Sequence, residues 1–344
     1  MQLSVIIPVY NAGETLRKCL DSILSQKGEF EIILINDGSK DNSAHICQSY
    51  AHKYPQIRFI DKKNEGVSPT RNLGISLAAG EYITFSDQDD WMEPGAFEYI
   101  FKDFDEQQSP DIIVTPYIRH SRGSKTNKMD YGPTMTLKYK TESHVEFLRK
   151  YGNDVLGPVW SKFYKTSFIR DNGYGFNPQY LLNEDFNFNF NCFGKARTIR
   201  IVDYHFYNYN LGFGNTSAKF LGEEYLKAMR YSFSLQEQFW KELTEGEIED
   251  HVRIGQTFSI LFAIYTIYRS SRKLSSKQRI EWLRKYHLFA EDWIKNPTDY
   301  YNLPWHKLLG YFLRKHQWRI ADLLLKSVFS TERVVRKMQA PNNI

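Results

Sequence analysis

Cysteine is scarce in this sequence, and its distribution excludes two classes of protein. Only three cysteines occur among 344 residues, Cys19, Cys47 and Cys192. Their number is odd and their spacing is wide, whereas a disulfide framework needs paired cysteines and a zinc site needs clustered ones. We therefore expect a protein of a reducing compartment that has neither a disulfide framework nor zinc.

Long apolar runs are also missing. The longest, residues 258–268, is interrupted by Ser259 and Thr266 and is too short to span a bilayer. A strand-like run begins already at Leu3, so we expect no signal peptide ahead of it. These absences predict a cytoplasmic protein that is at most peripheral, on the inner face of the cell membrane.

Positive charge is concentrated in the last part of the chain. The whole sequence carries +5, yet residues 269–344 hold 16 lysines and arginines against 6 acidic residues, which leaves −5 on the remainder. A basic tail on an acidic body favours an anionic partner, either a membrane surface or a nucleic acid. No RNA- or DNA-binding motif is visible, so we expect no nucleic-acid partner.

Apolar strands and amphipathic helices alternate over the first 90 residues. Strand-like runs at 3–9, 31–35, 57–60 and 82–85 alternate with helical spacing at 16–26, 41–54 and 68–79, the last closed by Gly80 as a C-cap. This order predicts a doubly wound α/β fold with a mostly parallel sheet flanked by helices. Because the carboxyl ends of parallel strands share one edge, the polar residues after each strand should converge there, where nucleotides bind.

Familiar phosphate-binding motifs do not follow the first strand. Neither Gly-x-Gly-x-x-Gly nor Gly-Lys-Ser/Thr occurs there. The sequence therefore disfavours a dinucleotide fold and a phosphate-loop NTPase.

The fourth strand ends on the acidic loop, residues 87–90, which places three carboxylates in four positions. Like charges this close repel one another unless a cation lies among them, and hard oxygen ligands suit Mg²⁺ or Mn²⁺. Asp87 and Asp89 are the candidate metal ligands. The alternative is a solvated loop in which Asp90 caps a helix that starts near Glu93.

Four motifs follow one another in the same region. They are Ser4-Val5-Ile6-Ile7-Pro8-Val9-Tyr10-Asn11, Asn36-Asp37-Gly38-Ser39-x-Asp41, Asn64-x-Gly66-x-x-x-x-Arg71-Asn72-x-Gly74 and Gly80-Glu81-Tyr82-Ile83-x-Phe85-x-Asp87-x-Asp89-Asp90. In order and spacing they resemble the glycosyltransferases of family 2, whose catalytic domain has the GT-A fold. Weaker matches at 159–164, 183–186 and 204–207 extend the resemblance to about residue 217. We therefore predict a nucleotide-sugar-binding and catalytic domain over residues 1–217 and a helical, basic C-terminal region over 218–344.

The resemblance implies a nucleotide-sugar donor, namely a UDP-sugar, and a set of residues that bind it. Asp37 would accept an imide N–H of uracil, with Pro8 and Tyr10 walling the base; the alternative for Asp37 is an Asx-turn before Gly38. Arg71 would fork either onto phosphate oxygens or onto carboxylates of the acidic loop. The full set implied for donor binding is Pro8, Tyr10, Asn11, Asp37, Asn64, Arg71, Asp87 and Gln88.

The resemblance also implies a catalytic base far along the chain. Asp185, in the pair Glu184-Asp185, would take the proton of the acceptor hydroxyl, and a base opposite the leaving group implies inversion at the anomeric carbon. Acidic residues are also favoured at helix N-termini, which is the alternative for this pair, and retaining chemistry stays open.

Contacts with the acceptor are less defined. Trp160, Lys162 and Glu184 are the candidates, with a buried tryptophan as the alternative for Trp160. His205 is expected to pack rather than to bind metal. Family members commonly carry Arg where this chain has Asn208, so a phosphate contact would come from Lys162 or Lys219. The glycines of 212–216 are typical of a mobile lid.

The tail shows helical spacing, with an apolar stripe between Trp305 and Leu324 that basic residues flank. Such a basic amphipathic helix suits an anionic membrane surface, a second copy of the chain in a homo-oligomer, or the chain's own catalytic domain.

The leading interpretation is an inverting, metal-dependent hexosyl- or N-acetylhexosaminyltransferase. It would act on a hydroxyl of a glycan or lipid-linked oligosaccharide in the synthesis of a surface polysaccharide such as exopolysaccharide, capsule or lipopolysaccharide. The alternatives are a sugar-1-phosphate nucleotidyltransferase, although no Gly-rich loop with Arg follows the first strand, and a non-catalytic scaffold or nucleic-acid-binding protein that uses the basic tail.

Overall fold

The computed structural model describes residues 2–102, 109–121, 126–180, 183–211, 222–246, 250–269, 274–293 and 304–339. The chain divides into two compact units, one of Met1–Gly214 with Gln238–Gly246 and one of Asn215–Glu237 with Glu247–Ile344. The predicted boundary between residues 217 and 218 lies near the first crossing between the units. Two further crossings, between residues 237 and 238 and between 246 and 247, were not predicted.

The first unit begins with the predicted alternation of strands and helices. These elements are β1 (Leu3–Val9), α1 (Leu16–Leu24), β2 (Phe30–Asp37), α2 (Ser43–Lys53), β3 (Ile57–Lys62), α3 (Val67–Leu77) and β4 (Tyr82–Phe85). β1 pairs in parallel with both β2 and β4, and β2 pairs in parallel with β3. Most residues of β1 are fully buried, as expected for a strand covered on both faces by helices.

The rest of the first unit completes this sheet and adds a second, smaller one. Its elements are β5 (Trp91–Met92), α4 (Ala96–Phe101), β6 (Ile112–Val114), β7 (Tyr117–His120), β8 (Asn127–Lys128), β9 (Met135–Lys138), α5 (Glu142–Leu156), β10 (Lys162–Lys165), α6 (Thr166–Asp171), α7 (Glu184–Phe193), β11 (Thr198–Ile201) and β12 (Tyr207–Asn210). Within the described residues the large sheet has the order β3-β2-β1-β4-β10-β6-β11-β9, and the small sheet has the order β5-β12-β7-β8. β10 runs antiparallel to β4 and β6, so the sheet is mostly parallel on one side and mixed on the other.

The small sheet lies beside the end of β4. β5 follows the acidic loop directly and pairs antiparallel with β12, which in turn pairs in parallel with β7. In this register Tyr207 lies opposite Tyr117, and Tyr209 lies opposite Arg119. The acidic loop is therefore bordered by both sheets.

Two local predictions need correction. α3 ends at Leu77 with Ala78, not Gly80, as its C-cap. Gly80 instead allows a close approach to β1: its N–H donates to Ser4 Oγ at 2.8 Å, and an added Cβ would lie 2.5 Å from the carbonyl carbon of Leu3. The aromatic strand predicted over residues 204–207 begins only at Tyr207, as β12.

The second unit is helical in its described part. Its helices are α8 (Glu223–Thr244), whose last residues belong to the first unit, α9 (Asp250–Arg269), α10 (Ser276–Trp293), α11 (Pro304–Arg314) and α12 (Trp318–Gln339). The single amphipathic helix predicted over residues 305–324 is wrong, because the chain turns at His316 (φ 54°) and forms two helices. The carboxylate of Asp322 on α12 ties the bundle together, since it accepts hydrogen bonds from Tyr268 on α9 and from Ser276 and Arg279 on α10.

Over the described residues, no helix combines the length and the apolar character that crossing a bilayer would need. Cys19, Cys47 and Cys192 are buried and free.

Candidate active site

Arg71 lies at the centre of the polar cluster at the carboxyl ends of the strands. Its guanidinium, on α3, is 3% exposed and donates to Asp185 at 2.6 Å and to Asp87 at 3.1 Å. Glu184 lies 3.7 Å from the same guanidinium. Within the protein the guanidinium pairs with one carboxylate of the acidic loop, Asp87, and the predicted contact with phosphate stays a prediction. The guanidinium also contacts the predicted base.

The electrostatic balance around Arg71 is negative, because one guanidinium faces three carboxylates. Burial raises the pKa of Asp185 to about 7; Glu184 and Asp87 add to this rise, and Arg71 opposes it. Burial likewise raises the pKa of Glu184, against the opposing charge of Arg71. A carboxylate with a pKa near 7 and a partly exposed side chain has the properties of a general base.

The acidic loop is held by Tyr207, which sequence reasoning had placed only in an aromatic run. The Tyr207 hydroxyl donates to Asp90 at 2.7 Å and accepts the backbone N–H of Asp87 at 3.0 Å. Asp90 is 1% exposed and also accepts the N–H of Asn210 at 2.8 Å. Asp90 is thus buried and fixed by hydrogen bonds, whereas the side chains of Asp87 and Asp89 are partly exposed.

Asp89 is the residue whose surroundings fit a cation best. Burial together with the charge of Asp87 raises its pKa to about 6, and only a hydrogen bond from its own backbone N–H opposes this rise. A partly buried carboxylate beside another carboxylate is a site that a divalent ion would stabilise. The described residues gather no cluster of three or more metal-ligating side chains, so Asp87 and Asp89 would share the ion with substrate oxygens and water, as is usual for Mg²⁺.

Asp37, at the end of β2, is already engaged by the protein. One of its oxygens accepts from Lys62 at 2.5 Å and from the N–H of Glu65 at 2.9 Å, and the other accepts from the N–H of Gly66 at 2.8 Å. Burial alone would raise the pKa of Asp37, but these hydrogen bonds outweigh it and the pKa is lowered. The carboxylate is therefore ionised, and it orders the loop from β3 to α3.

The remaining residues predicted to bind the donor lie at the same edge. Pro8 is the partly exposed position of β1, and Tyr10 just after it is 43% exposed. Gln88 accepts the N–H of Tyr10 at 2.6 Å and donates to its carbonyl at 3.0 Å, so this amide fixes the backbone of Tyr10. Asn11 and Asn64 likewise bond to neighbouring backbone, at the N–H of Lys40 and the carbonyl of Asp37. Their contact with a donor stays a prediction.

Two of the predicted acceptor contacts are corrected by burial. Trp160 is 5% exposed and stacks on Tyr207 and Tyr209, so its ring packs inside the protein. Lys162 is fully buried and donates to the carbonyl of Pro158 at 2.6 Å; burial lowers its pKa to about 7 against the opposing charges of Asp185 and Asp154. Neither side chain is open to an acceptor or a phosphate, whereas Glu184 keeps 21% of its side chain exposed.

Three further predictions concern the region around β12. His205 bonds to the backbone carbonyl of Met129, in keeping with a packing role. Asn208, which replaces the family's arginine, donates to Glu93 at 2.9 Å and contacts His120. The predicted lid at 212–216 and Lys219 lie outside the described residues.

The sequence did not predict the contact between the Arg71 guanidinium and the ring of Phe176, or the hydrogen bonds that fix Phe176. Phe176 lies under the guanidinium at 5.2 Å, and its backbone exchanges two hydrogen bonds with the amide of Asn72. Asn72 stands in the motif that contains Arg71, but no local signal pairs it with residue 176.

Comparison with solved structures defines the fold. The chain matches Staphylococcus aureus TarS residues 1–349 in complex with UDP at a TM-score of 0.61 and 18% identity, over 96% of this chain and 92% of that one. The complex of the same TarS fragment with UDP-GlcNAc matches equally well. The fold is therefore the GT-A fold that the sequence predicted.

Sequence comparison defines the family. Residues 4–204 match the sequence model of the family described as "Glycosyl transferase family 2". The chain is 31% identical to the glycosyltransferase EpsJ of Bacillus subtilis (strain 168) over 216 residues. This alignment covers 60% of each chain. It is 27% identical over 334 residues to the poly(ribitol-phosphate) beta-glucosyltransferase of Bacillus spizizenii, over 93% of this chain and 49% of that one. The chain belongs to glycosyl transferase family 2.

Proposed function

We propose that this chain is an inverting, metal-dependent glycosyltransferase. It moves a sugar from a UDP-sugar to a hydroxyl of a glycan or lipid-linked glycan in the synthesis of a cell-surface polysaccharide. The observation that carries the proposal is the single cluster in which Arg71 joins Asp87 of the acidic loop to Asp185. The names of the relatives, which include glycosyltransferases and a poly(ribitol-phosphate) glucosyltransferase, support the reaction class.

Asp185 is the proposed base. Its carboxylate takes the proton of the acceptor hydroxyl while the hydroxyl oxygen bonds to the anomeric carbon of the donor. The bond from that carbon to the UDP oxygen breaks, and UDP leaves with the electron pair. Because attack comes from the face opposite the leaving group, the anomeric configuration inverts. A positioned base contributes roughly 10²–10⁴-fold to such a reaction.

Asp89 and Asp87 are the proposed ligands of Mn²⁺ or Mg²⁺. These two carboxylates would hold the ion where its positive charge would stabilise the departing diphosphate. Arg71 keeps Asp87 and Asp185 in place at the same time, and its own charge is held between them.

The nucleoside is proposed to bind at the edge formed by Pro8, Tyr10 and Asp37. The partly exposed Tyr10 offers a face for the base, and the Asp37 oxygen that bonds only to Gly66 retains a lone pair for a uracil N–H. The TarS complexes with UDP and UDP-GlcNAc support a UDP-sugar as donor.

The rival enzyme, a sugar-1-phosphate nucleotidyltransferase, is disfavoured. A nucleotidyltransferase does not need a base such as Asp185 to deprotonate an acceptor hydroxyl. The membership of this chain in a glycosyltransferase family also argues against it.

A panel of UDP-sugars, scored by UDP release with Mn²⁺ or Mg²⁺ and with chelator, tests the proposal. We expect metal-dependent UDP release with at least one donor. Asp185→Asn should lower transfer about 10²–10⁴-fold while the Kd for UDP stays within about twofold. Asp89→Ala should lower both activity and metal-dependent binding of UDP.

The matched control is Asp171→Asn, a carboxylate exposed at the end of α6, which should behave like the wild type. Normal transfer by Asp185→Asn would refute the assignment of the base. Metal-independent transfer would refute the role of Asp89.

A further inference from the structure

Arg119 and Asp154 form an ion pair that the proposed chemistry does not use. Arg119 lies on β7 and Asp154 on α5, with Arg119 Nη2 3.8 Å from Asp154 Oδ1. The Tyr117 hydroxyl lies between them; it accepts from Arg119 at 3.0 Å and donates to Asp154 at 3.4 Å. Both charged side chains are about a third exposed, at 37% and 35%. The pair is loose and open to a ligand.

The pair adjoins the acidic loop through Tyr209. Arg119 lies opposite Tyr209 in the pairing of β7 with β12, and the ring of Tyr209 stacks on Trp160 at 4.8 Å. Burial and the negative charges of the acidic loop raise the pKa of Tyr209 to about 12, while Arg119 opposes the rise. Tyr209 is thus beside Arg119 in the sheet and within the electrostatic influence of the acidic loop.

Packing and charge also relate the pair to the proposed site. The ring of Tyr117 packs on Trp160 at 4.8 Å, and Trp160 stacks on Tyr207, which holds the acidic loop. The charges of Asp185 and Asp154 both act on the buried Lys162, where they oppose the lowering of its pKa. An acceptor hydroxyl must reach Asp185 on one side and the donor carbon near Asp89 on the other. The Arg119–Asp154 pair is related to Asp185 through Lys162 and to the acidic loop through Tyr209.

The pair has hydrogen-bonding capacity to spare. Arg119 Nη1 has no partner within the described residues and is not among their buried unpaired atoms, whereas Nε is buried and closed to a ligand. Asp154 Oδ2 likewise accepts no hydrogen bond from the part of the chain that the structure describes. A donor fork next to a free carboxylate oxygen and a partly exposed aromatic ring matches the hydroxyl groups and apolar face of a pyranose.

We propose that Arg119, Asp154 and Tyr209 bind the neutral sugar that carries the attacking hydroxyl. The inference rests on the proposed function and specifies its acceptor. Arg119 donates to sugar oxygens, Asp154 accepts from sugar hydroxyls, and Tyr209 packs against the ring. A phosphate or uronic acid is disfavoured here because Asp154 neutralises Arg119, and Asp185 and the acidic loop add negative charge.

Initial rates with octyl glycosides test this proposal. The neutral set is octyl β-glucoside, β-galactoside and N-acetyl-β-glucosaminide, and the anionic probes are octyl β-glucuronide and glycerol phosphate. We expect the best neutral glycoside to exceed both anionic probes by about tenfold or more in kcat/KM. Arg119→Met and Asp154→Asn should each raise the KM of that glycoside about 5–100-fold, the effect of about 1–3 kcal/mol of lost hydrogen bonding.

The donor side of the reaction provides the internal standard. The KM for the UDP-sugar and the slow release of UDP to water without acceptor should stay within about twofold in both variants. Asp154→Asn, which leaves Arg119 uncompensated, should shift the preference toward octyl β-glucuronide. Arg58→Met and Asp171→Asn, at exposed positions of the same unit, are the matched controls.

The outcomes separate this inference from the proposed function. If no UDP-sugar is hydrolysed or transferred, the proposed function fails. Three results with intact donor hydrolysis would overturn the acceptor assignment alone. The anionic probes could give a higher kcat/KM than every neutral glycoside, or no neutral glycoside could serve as acceptor. In the third, both variants would keep the acceptor KM of the wild type.

Discussion

At the scale of single residues, the site is defined by an excess of carboxylate over cationic charge. Arg71 is shared by Asp87, Glu184 and Asp185, and Asp89 has no cationic partner in the described part of the chain. Burial together with this excess raises the pKa values of Asp89 and Asp185. The same imbalance therefore favours a metal ion at one end of the cluster and a proton acceptor at the other.

Tyr207 is the residue that links the packing of the small sheet to the acidic loop. Its ring stacks on Trp160 at 4.7 Å with an interplanar angle of 7°, and its hydroxyl bonds to both Asp87 and Asp90. Tyr207→Phe keeps the stack and removes both hydrogen bonds. We expect a loss of about 1.5–3 kcal/mol in the free energy of unfolding, because the buried Asp90 loses a donor. Transfer should fall about tenfold or more as the loop loses its position.

The measurement for Tyr207→Phe is urea unfolding together with the Mn²⁺ concentration at half-maximal UDP release. Half-maximal activity should need more Mn²⁺ than in the wild type. Tyr99→Phe, which removes a hydroxyl from an exposed ring, serves as the control. A variant with unchanged metal dependence would show that Tyr207 does not position the proposed metal ligands.

At the scale of elements, the placement of α3 decides where Arg71 lies. Gly74, one turn after Arg71, faces Ile6 of β1, and an added Cβ would overlap with the Ile6 side chain. The C-terminal end of α3 is held by Arg170, which donates to the carbonyls of Ile75 and Ala78. The helix can therefore approach the sheet closely only with glycine at this position.

Gly74→Ala tests this close approach. Alanine improves helix propensity by up to about 1 kcal/mol, but overpacking against a fully buried isoleucine costs about 1–3 kcal/mol. We expect a net loss of stability and a lower rate of transfer, since α3 must shift with Arg71 on it. Thermal unfolding and UDP release measure the two effects.

A double-mutant cycle with Ile6→Ala identifies the cause. Ile6→Ala removes the overlapping atoms, so the double variant should be more stable than the sum of the single effects by about 1 kcal/mol or more. Ser76→Ala, at an exposed position of the same helix, should change stability by less than about 0.5 kcal/mol. Strict additivity in the cycle would contradict the packing explanation.

At the scale of the whole molecule, the second unit presents apolar and basic side chains together on its last two helices. Leu308 and Tyr311 on α11 and Ile320 and Leu323 on α12 are 44–67% exposed. Exposed basic residues accompany them, namely Arg314, Lys315, Arg319 and Lys326. Apolar side chains among positive charges favour an anionic lipid surface, which keeps the predicted membrane contact as a proposal.

Liposome sedimentation tests this contact. We expect the protein to bind vesicles with anionic phosphatidylglycerol more tightly than pure phosphatidylcholine vesicles, with binding that weakens as salt rises. Exchange of Arg314 and Arg319 for Gln should weaken binding by about 1 kcal/mol per charge. The same charge change at Lys128 and Lys138, exposed in the first unit, should matter less. Equal binding to both kinds of vesicle would rule the contact out.

The sequence by itself determined the local structure and the family. The strands β1 to β4 and the helices between them follow from apolar periodicity, and the motifs after each strand place polar residues at one edge, since parallel strands end together. These features depend on neighbours in the chain. For the same reason the tail's single predicted helix failed, because a turn at one residue leaves the apolar spacing almost unchanged.

Only the tertiary structure decided which partners the site residues have. Arg71 and Asp185 are 114 residues apart, and the pairing that joins them depends on how α3 and α7 pack on the sheet. Burial likewise decided that Trp160 and Lys162 face the interior, and pairing of β7 with β12 brought Arg119 beside Tyr209. Contacts of this kind depend on the packing of whole elements, which periodicity and local motifs do not encode.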